Sequence, residues 1–73
     1  MSHVKTVRLW TRADHIRVRD VVLESDGRVL GTVQSIAAHR QYVTTVTLDA
    51  GEPPTTLTYA NSQLVHVERE EVM

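Results

Sequence analysis

The residues of this chain that could do chemistry are arginines gathered around a single tryptophan in its first 40 positions. An exposed tryptophan can stack on a base while neighbouring guanidinium groups bind phosphate. Trp10 with six arginines therefore defines a candidate nucleic-acid-binding face: Arg8, Arg12, Arg17, Arg19, Arg28 and Arg40. Seven cations and four anions give residues 1–40 a net charge of +3, but the whole chain carries −1. Because nucleic-acid-binding modules are usually more basic, this function is the alternative hypothesis.

The same tryptophan suits a protein interface, and this is the leading hypothesis. Alternation along the first predicted strand turns Val7 and Leu9 inward, so that Trp10 points outward. Three further apolar residues fall on the outward phase of later strands. The predicted partner-binding residues are Trp10, Val4, Val22, Leu30 and Val43. An exposed apolar group of this kind favours association with a protein partner, either a second copy in a homodimer or a larger protein.

The histidines, serines and glycines do not form a recognisable reactive or metal-binding pattern. Four histidines, His3, His15, His39 and His66, lack the close spacing of metal ligands. There is no cysteine nucleophile, and the serines have no adjacent base or oxyanion context. The spacing of Gly27 and Gly31 is not that of a phosphate-binding loop. We therefore expect no catalytic residues, no metal, no cofactor and no small-molecule substrate.

Length and composition predict how these side chains are positioned. With 73 residues, the chain forms one domain, spanning 1–73, and has little room for a catalytic cleft. It contains 12 valines, 9 threonines and 2 isoleucines, which favour strands over helices. Phenylalanine is absent, so the core should be aliphatic. No segment shows helical periodicity, and the fold class predicted is all-β.

The alternation of apolar residues and the turn signals predict five or six short antiparallel strands. They cover residues 3–10, 19–24, 28–36, 42–49, 55–59 and 64–69. A short helical turn anchored by Ile16 should follow the first strand, a 3₁₀ turn should occupy residues 60–63, and residues 70–73 should fray. In the second and third strands, alternation turns Val21, Leu23, Val29 and Val33 inward. Strands this short avoid exposed edges if the sheet closes into a small antiparallel barrel.

Two glycines mark the sharpest backbone features. Asp26-Gly27, between two apolar runs, predicts a tight hairpin, because glycine accepts a positive φ without steric cost. Gly31 lies inside the strand that follows. A glycine there predicts a bulge, a bend, or the close approach of another backbone.

The segment from Asp14 to Val22 leads into Asp26-Gly27-Arg28-Val29-Leu30-Gly31-Thr32-Val33-Gln34-Ser35-Ile36 and resembles the opening half of an SH3-like small β-barrel. The Asp-Gly-x-x-x-Gly-x-Val-x-x-Ile spacing is similar to the PRC-barrel pattern, and Gly31-Thr32-Val33 resembles the end of a KOW motif. Asn61-Ser62-Gln63 is similar to the 3₁₀ turn before the closing strand of these barrels. The resemblance covers about residues 14–67. It implies a barrel of five or six strands that binds RNA, DNA, peptides or protein subunits and rarely catalyses reactions.

Two positions depart from the patterns of that group. The loop between Gly27 and Gly31 is shorter than in a KOW motif, and Arg19-Asp20 stands where many such barrels have Gly-Asp before the second strand. Cellular location is expected to be cytoplasmic without a membrane partner, because there is no cysteine, no apolar run of membrane-spanning length and no signal peptide. Chains of this size are also typical of accessory and phage proteins.

Overall fold

Six antiparallel strands form one sheet in the structure, a computed structural model that describes residues 4–37, 42–51 and 53–72. The strands are β1 (Val4–Arg12), β2 (Val21–Leu23), β3 (Val29–Ile36), β4 (Val43–Asp49), β5 (Thr55–Ala60) and β6 (Leu64–Val72). One 3₁₀ turn, Ala13–His15, follows β1. The predicted all-β class is therefore confirmed. In the described parts of the chain, no helix has the length and apolar character needed to cross a membrane.

The order of strands across the sheet is β1-β6-β2-β3-β4-β5. The last strand is therefore inserted between the first and the second, and β1 and β5 form the two edges. β6 pairs with β1 along nine residues on one side and with β2 on the other. Closure of this sheet into an SH3-like barrel stays a prediction.

The hairpin predicted at Asp26-Gly27 connects β2 to β3. Gly27 has a φ of +90°, which a residue with a side chain adopts only under strain. The Glu24 N–H donates to the Arg28 carbonyl at 2.7 Å, and the Arg28 N–H donates to Oδ1 of Asp26 at 2.9 Å. The aspartate thus closes the loop with its side chain while the glycine supplies the backbone geometry.

All strands contribute to one aliphatic core, as the composition predicted. Its buried members are Ala13, Ile16, Val22, Val33, Val46, Leu48, Val65 and Val67. Ile16 anchors the segment after the 3₁₀ turn, as expected. Burial of each large aliphatic side chain contributes roughly 1.5–3 kcal/mol to folding, so this cluster is the main source of stability.

A β-bulge lies between β2 and β3, where Val22, Leu30 and Val29 depart from the predicted facing, whereas Leu23 and Val33 are buried as expected. Val22 was expected on the outer face, but it lies opposite Val67 and is fully buried in the core. The register shifts after Val22, and Leu30 has no partner across the strands. Leu30 consequently packs against the core instead of facing outward, whereas Val29 is 62% exposed rather than inward. One extra residue in a strand changes which side chains face the core.

The last strand is longer than the sequence predicted. β6 continues to Val72, and Glu70, Glu71 and Val72 pair with residues 4–6 of β1 instead of fraying. Before β6, the expected 3₁₀ turn is a single turn in which the Gln63 N–H donates to the Ala60 carbonyl at 3.0 Å. Extension of β6 adds three residues to its solvent-facing surface.

Candidate functional site

Alternate residues of β1 and β6 face solvent, and those of β1 lie directly opposite those of β6. Val4 lies opposite Val72 at one end of the pair, and Trp10 lies opposite His66 near the other. We call this surface the tryptophan face. Its exposed apolar side chains are Val4, Trp10, Leu64 and Val72, with exposed fractions of 54, 53, 60 and 76%. Apolar groups collected on one sheet face are typical of an association surface.

The indole of Trp10 is held by a stacking contact. The Trp10 and His66 rings lie 4.6 Å apart at their centroids with an angle of 8° between their planes. Stacked aromatic pairs contribute about 0.5–1.5 kcal/mol beyond the area that they bury. The Nδ1 atom of His66 is buried and has no hydrogen-bond partner among the described residues. Trp10 thus presents a ring already fixed in place, which lowers the entropy lost when a partner binds.

At the other end of the tryptophan face, an open groove of about 230 Å³ separates the strand ends from the loop before β2. We call it the valine groove. It is lined by Val4, Arg17, Val18, Arg19, Asp20, Arg69, Glu70 and Val72. Val18 is 52% exposed, so three solvent-exposed valines form apolar walls beside two arginines. This combination suits an apolar side chain next to an anionic group.

The loop that carries Arg17 and Arg19 is a turn with an unusual backbone. The Asp20 N–H donates to the Arg17 carbonyl at 3.1 Å, and Oδ2 of Asp20 accepts the Arg17 N–H at 3.0 Å. Arg19, the third residue of this turn, has a φ of +82°. That value is typical of a type II turn, in which glycine is preferred at this position. Arg19 is the only described residue other than glycine with a positive φ.

We expect Arg19→Gly to stabilise the fold by about 0.5–1 kcal/mol, because it removes strain of about 1–3 kcal/mol and costs some chain entropy. Urea unfolding of the variant and the wild type measures the difference. Arg17→Gly is the matched control on the same turn, since it removes the same side chain without a positive φ. If Arg19→Gly lost as much stability as Arg17→Gly, the inference of backbone strain at Arg19 would be wrong.

The floor of the valine groove is a buried ion pair. Nε of Arg69 donates to Oδ1 of Asp20 at 2.9 Å, and Nη2 donates to Oδ2 at 2.7 Å. The Asp20 side chain is only 3% exposed and that of Arg69 14% exposed. The hydrogen bonds to Asp20 raise the pKa of Arg69 above its ordinary value. This fork-shaped contact joins the turn before β2 to β6, 49 residues away, and so holds the two walls of the groove together.

Three of the five described arginines of the predicted nucleic-acid face are engaged by carboxylates. Three ion pairs join Arg8 to Glu68 at 3.1 Å, Arg12 to Asp14 at 2.9 Å, and Arg28 to Glu24 at 3.9 Å. The hydrogen bond from Arg12 lowers the pKa of Asp14, and the same bond raises the pKa of Arg12. Within the part of the chain that the structure describes, Arg17 and Arg19 have no carboxylate partner.

The structure separates the residues predicted to form one partner surface. Trp10 and Val4 both lie exposed on the tryptophan face. Val22 and Leu30 belong to the core, as described above. Val43 is partly buried on the outer face of β4, with β6, β2 and β3 between it and β1 in the strand order. Arg40 lies outside the described residues.

Three apolar residues of the site were absent from the sequence prediction, as were His66 and the groove residues Asp20, Arg69 and Glu70. Leu64 follows the outward phase of the last strand, so alternation alone could have identified it. Val72 was assigned to a frayed tail, and Val18 lay between the predicted helical turn and the second predicted strand. No local pattern indicates that their side chains meet in one groove, because that depends on the insertion of β6 beside β1.

Among the described histidines, the side chain of His66 contributes the ring stack, and the backbone carbonyl of His15 accepts a hydrogen bond from Nη2 of Arg69 at 3.4 Å. His15 and His66 lie in separate parts of the fold, on the 3₁₀ turn and on β6. His3 and His39 lie outside the described residues. The described residues contain no group of three or more histidine, aspartate or glutamate side chains arranged to hold a metal ion.

Comparison of the whole chain with protein families, with curated proteins and with solved structures finds no match in any of the three.

Proposed function

We propose that this protein is a non-catalytic binding module that docks on a protein partner through the tryptophan face. The observation that carries the proposal is the β1–β6 register, which collects Trp10, Leu64, Val4 and Val72 on one solvent-facing surface. Tryptophan and arginine are enriched among the residues that contribute most to protein interfaces. Here they occur together with apolar neighbours, on two strands that are paired along their whole length.

The valine groove favours a partner segment with an apolar residue beside an acidic one. Val18, Val4 and Val72 offer apolar contact, and Arg17 and Arg19 offer charge that forms no ion pair with a described carboxylate, although Glu70 also lines the groove. The guanidinium group of Arg69 does not bind the acidic residue of the partner, since it already binds Asp20. The strain at Arg19 fits this role, because strained residues are often retained where they serve binding.

We expect Trp10→Ala to weaken partner binding by about thirtyfold, which corresponds to about 2 kcal/mol for an aromatic residue that anchors an interface. Captures from cell extract with wild-type and variant protein, followed by titration of the recovered partner, measure the loss. Tyr42→Ala is the matched control, because Tyr42 is an aromatic residue 73% exposed outside the tryptophan face. Binding that survives in Trp10→Ala but is lost in Tyr42→Ala would place the interface elsewhere.

Nucleic-acid binding is the alternative function and has less support. Three of the five described arginines of that face already contact carboxylates, and binding phosphate would require those contacts to break. Titration with single- and double-stranded oligonucleotides at low salt tests the alternative. Tight binding with a steep salt dependence that decreases in Arg17→Ala and Arg19→Ala would favour it over the protein partner.

A further inference from the structure

The two edges of the sheet differ in their protection against pairing with another strand. β1 carries three cations, Lys5, Arg8 and Arg12, which oppose the approach of a second strand of the same kind. β5 carries no charged residue, and its register with β4 runs through six consecutive pairs without a bulge. Among the described residues, no strand covers the other edge of β5. Charges and bulges are two usual means of protecting such an edge, and β5 has neither; Pro53 and Pro54 precede the strand but do not lie in it.

The outer face of β5 is built from threonines that already pair with threonines. Thr58 lies opposite Thr45, with their hydroxyl oxygens 3.2 Å apart, and Thr56 lies opposite Thr47. Cross-strand threonine pairs are favourable in antiparallel sheets. Threonine hydroxyls both donate and accept, so the row can continue onto an identical row without charge repulsion.

The inner face of β5 leaves apolar surface uncovered at the same edge. Leu57 and Tyr59 pack against the core but are only partly buried. An antiparallel copy of β5 centred on Leu57 would place Leu57 against Leu57 of the second copy and Thr56 against Thr58 of that copy. Inner residues then meet inner residues, and the threonine row becomes continuous across the two chains.

We propose that two copies of this chain pair through their β5 edges, antiparallel and centred on Leu57, to form one twelve-stranded sheet. This surface is distinct from the tryptophan face, so the dimer would present two partner-binding faces. The dimer therefore does not depend on the proposed function, and Trp10→Ala should dimerise like the wild type.

The test places charges where the two threonine rows meet. Thr56→Lys combined with Thr58→Lys puts lysine opposite lysine twice, and dimerisation should weaken by at least about tenfold. Thr56→Glu combined with Thr58→Lys puts glutamate opposite lysine twice, and the dimer should persist. Sedimentation equilibrium detects the dimer as twice the 8.2 kDa mass of one chain. Because one strand pair buries less area than a standard interface, measurements should reach about 1 mM chain.

Three results would overturn the proposal: a wild-type monomer at every concentration, a dimer equally strong in the two-lysine variant, or loss of the dimer in both charged variants. Circular dichroism verifies that each variant remains folded. A second measurement uses disulfide cross-linking instead of charged residues. Because the chain contains no cysteine, a single introduced cysteine can pair only with the same cysteine of a second copy. Leu57→Cys should form a covalent dimer on mild oxidation, whereas Ala60→Cys, more exposed but far from its own copy in this register, should not. Equal cross-linking of the two would contradict the Leu57-centred register.

Discussion

Replacing Asp20 with alanine is expected to destabilise the fold by about 3 kcal/mol, because removal of one partner from a buried ion pair leaves the other charge without compensation. Arg69, whose side chain is 14% exposed, would remain in place with its guanidinium group largely cut off from water. The Arg17 N–H would also lose its acceptor, Oδ2 of Asp20. For a domain of this size, total stability is roughly 4–11 kcal/mol, so the loss is a large fraction of it.

Thermal unfolding measures this effect as a decrease in Tm of roughly 12–24 °C. Glu68→Ala is the matched control, because it also breaks an arginine–carboxylate contact at 3.1 Å, but the Arg8 side chain is 58% exposed. Exposed pairs contribute about 0–1 kcal/mol, so the control should lose little. Equal losses in Asp20→Ala and Glu68→Ala would show that burial does not distinguish the two pairs.

The second large effect is expected at Gly31, where alanine should cost about 2–3 kcal/mol. A Cβ atom at this position would lie 3.0 Å from Cβ of Ala50, 3.1 Å from the Asp49 carbonyl oxygen and 3.1 Å from Cβ of Leu48. None of these atoms is the end of a flexible side chain, so β3 or the end of β4 must move. Overpacking of this kind typically costs about 1–3 kcal/mol.

Gly31 has a φ of +157°, so backbone conformation disfavours alanine there as well as crowding, and urea unfolding of Gly31→Ala beside Gly51→Ala isolates the additional cost of crowding. Gly51 has a φ of +121°, which is unfavourable for alanine, but no atom lies within 4 Å of the point that an alanine Cβ would occupy. The cost at Gly51 should therefore reflect conformation alone, about 1 kcal/mol. A smaller loss at Gly31 than at Gly51 would rule out the close approach of β4 as the reason for glycine in β3.

Asp20 and Arg19 connect stability to the proposed docking surface. Asp20 fixes both the turn before β2 and the arginine of β6 that underlies the valine groove. Arg19 lies on the same turn in a conformation that favours glycine. We therefore expect Arg19→Gly to gain stability and lose partner affinity together, a trade-off common where binding requires a strained residue.

Alternation of apolar residues was sufficient to predict the strands and much of the core. Val46 and Leu48 in β4, and Val65 and Val67 in β6, are buried as expected. In β2 and β3 the same rule held for Leu23 and Val33 but failed for Val22, which is buried in the core, and for Leu30, which the bulge leaves without a partner across the strands. Gly31 predicted an irregularity there, but a glycine does not indicate which neighbouring residue becomes the extra one.

The candidate site was predicted only in part because its contacts are distant in sequence. Trp10 was expected to be exposed and is, but nothing in its neighbourhood identifies His66 as the ring against which it stacks. Likewise, Arg8 reads as an available cation until the fold brings Glu68, 60 positions away, beside it, whereas the carboxylate partners of Arg12 and Arg28 are near neighbours in sequence. The charge of a side chain is known from its type, whereas its availability depends on its neighbours.

The amino-acid order by itself determined the all-strand architecture, the Asp26-Gly27 hairpin and an aliphatic core, because backbone preferences and two-residue periodicity act over short distances. Only the tertiary structure decided that β6 lies between β1 and β2, and with it the tryptophan face, the Asp20–Arg69 pair and the valine groove. Those features join residues about 50 or more positions apart, and strand order depends on how the whole sheet packs rather than on any one segment.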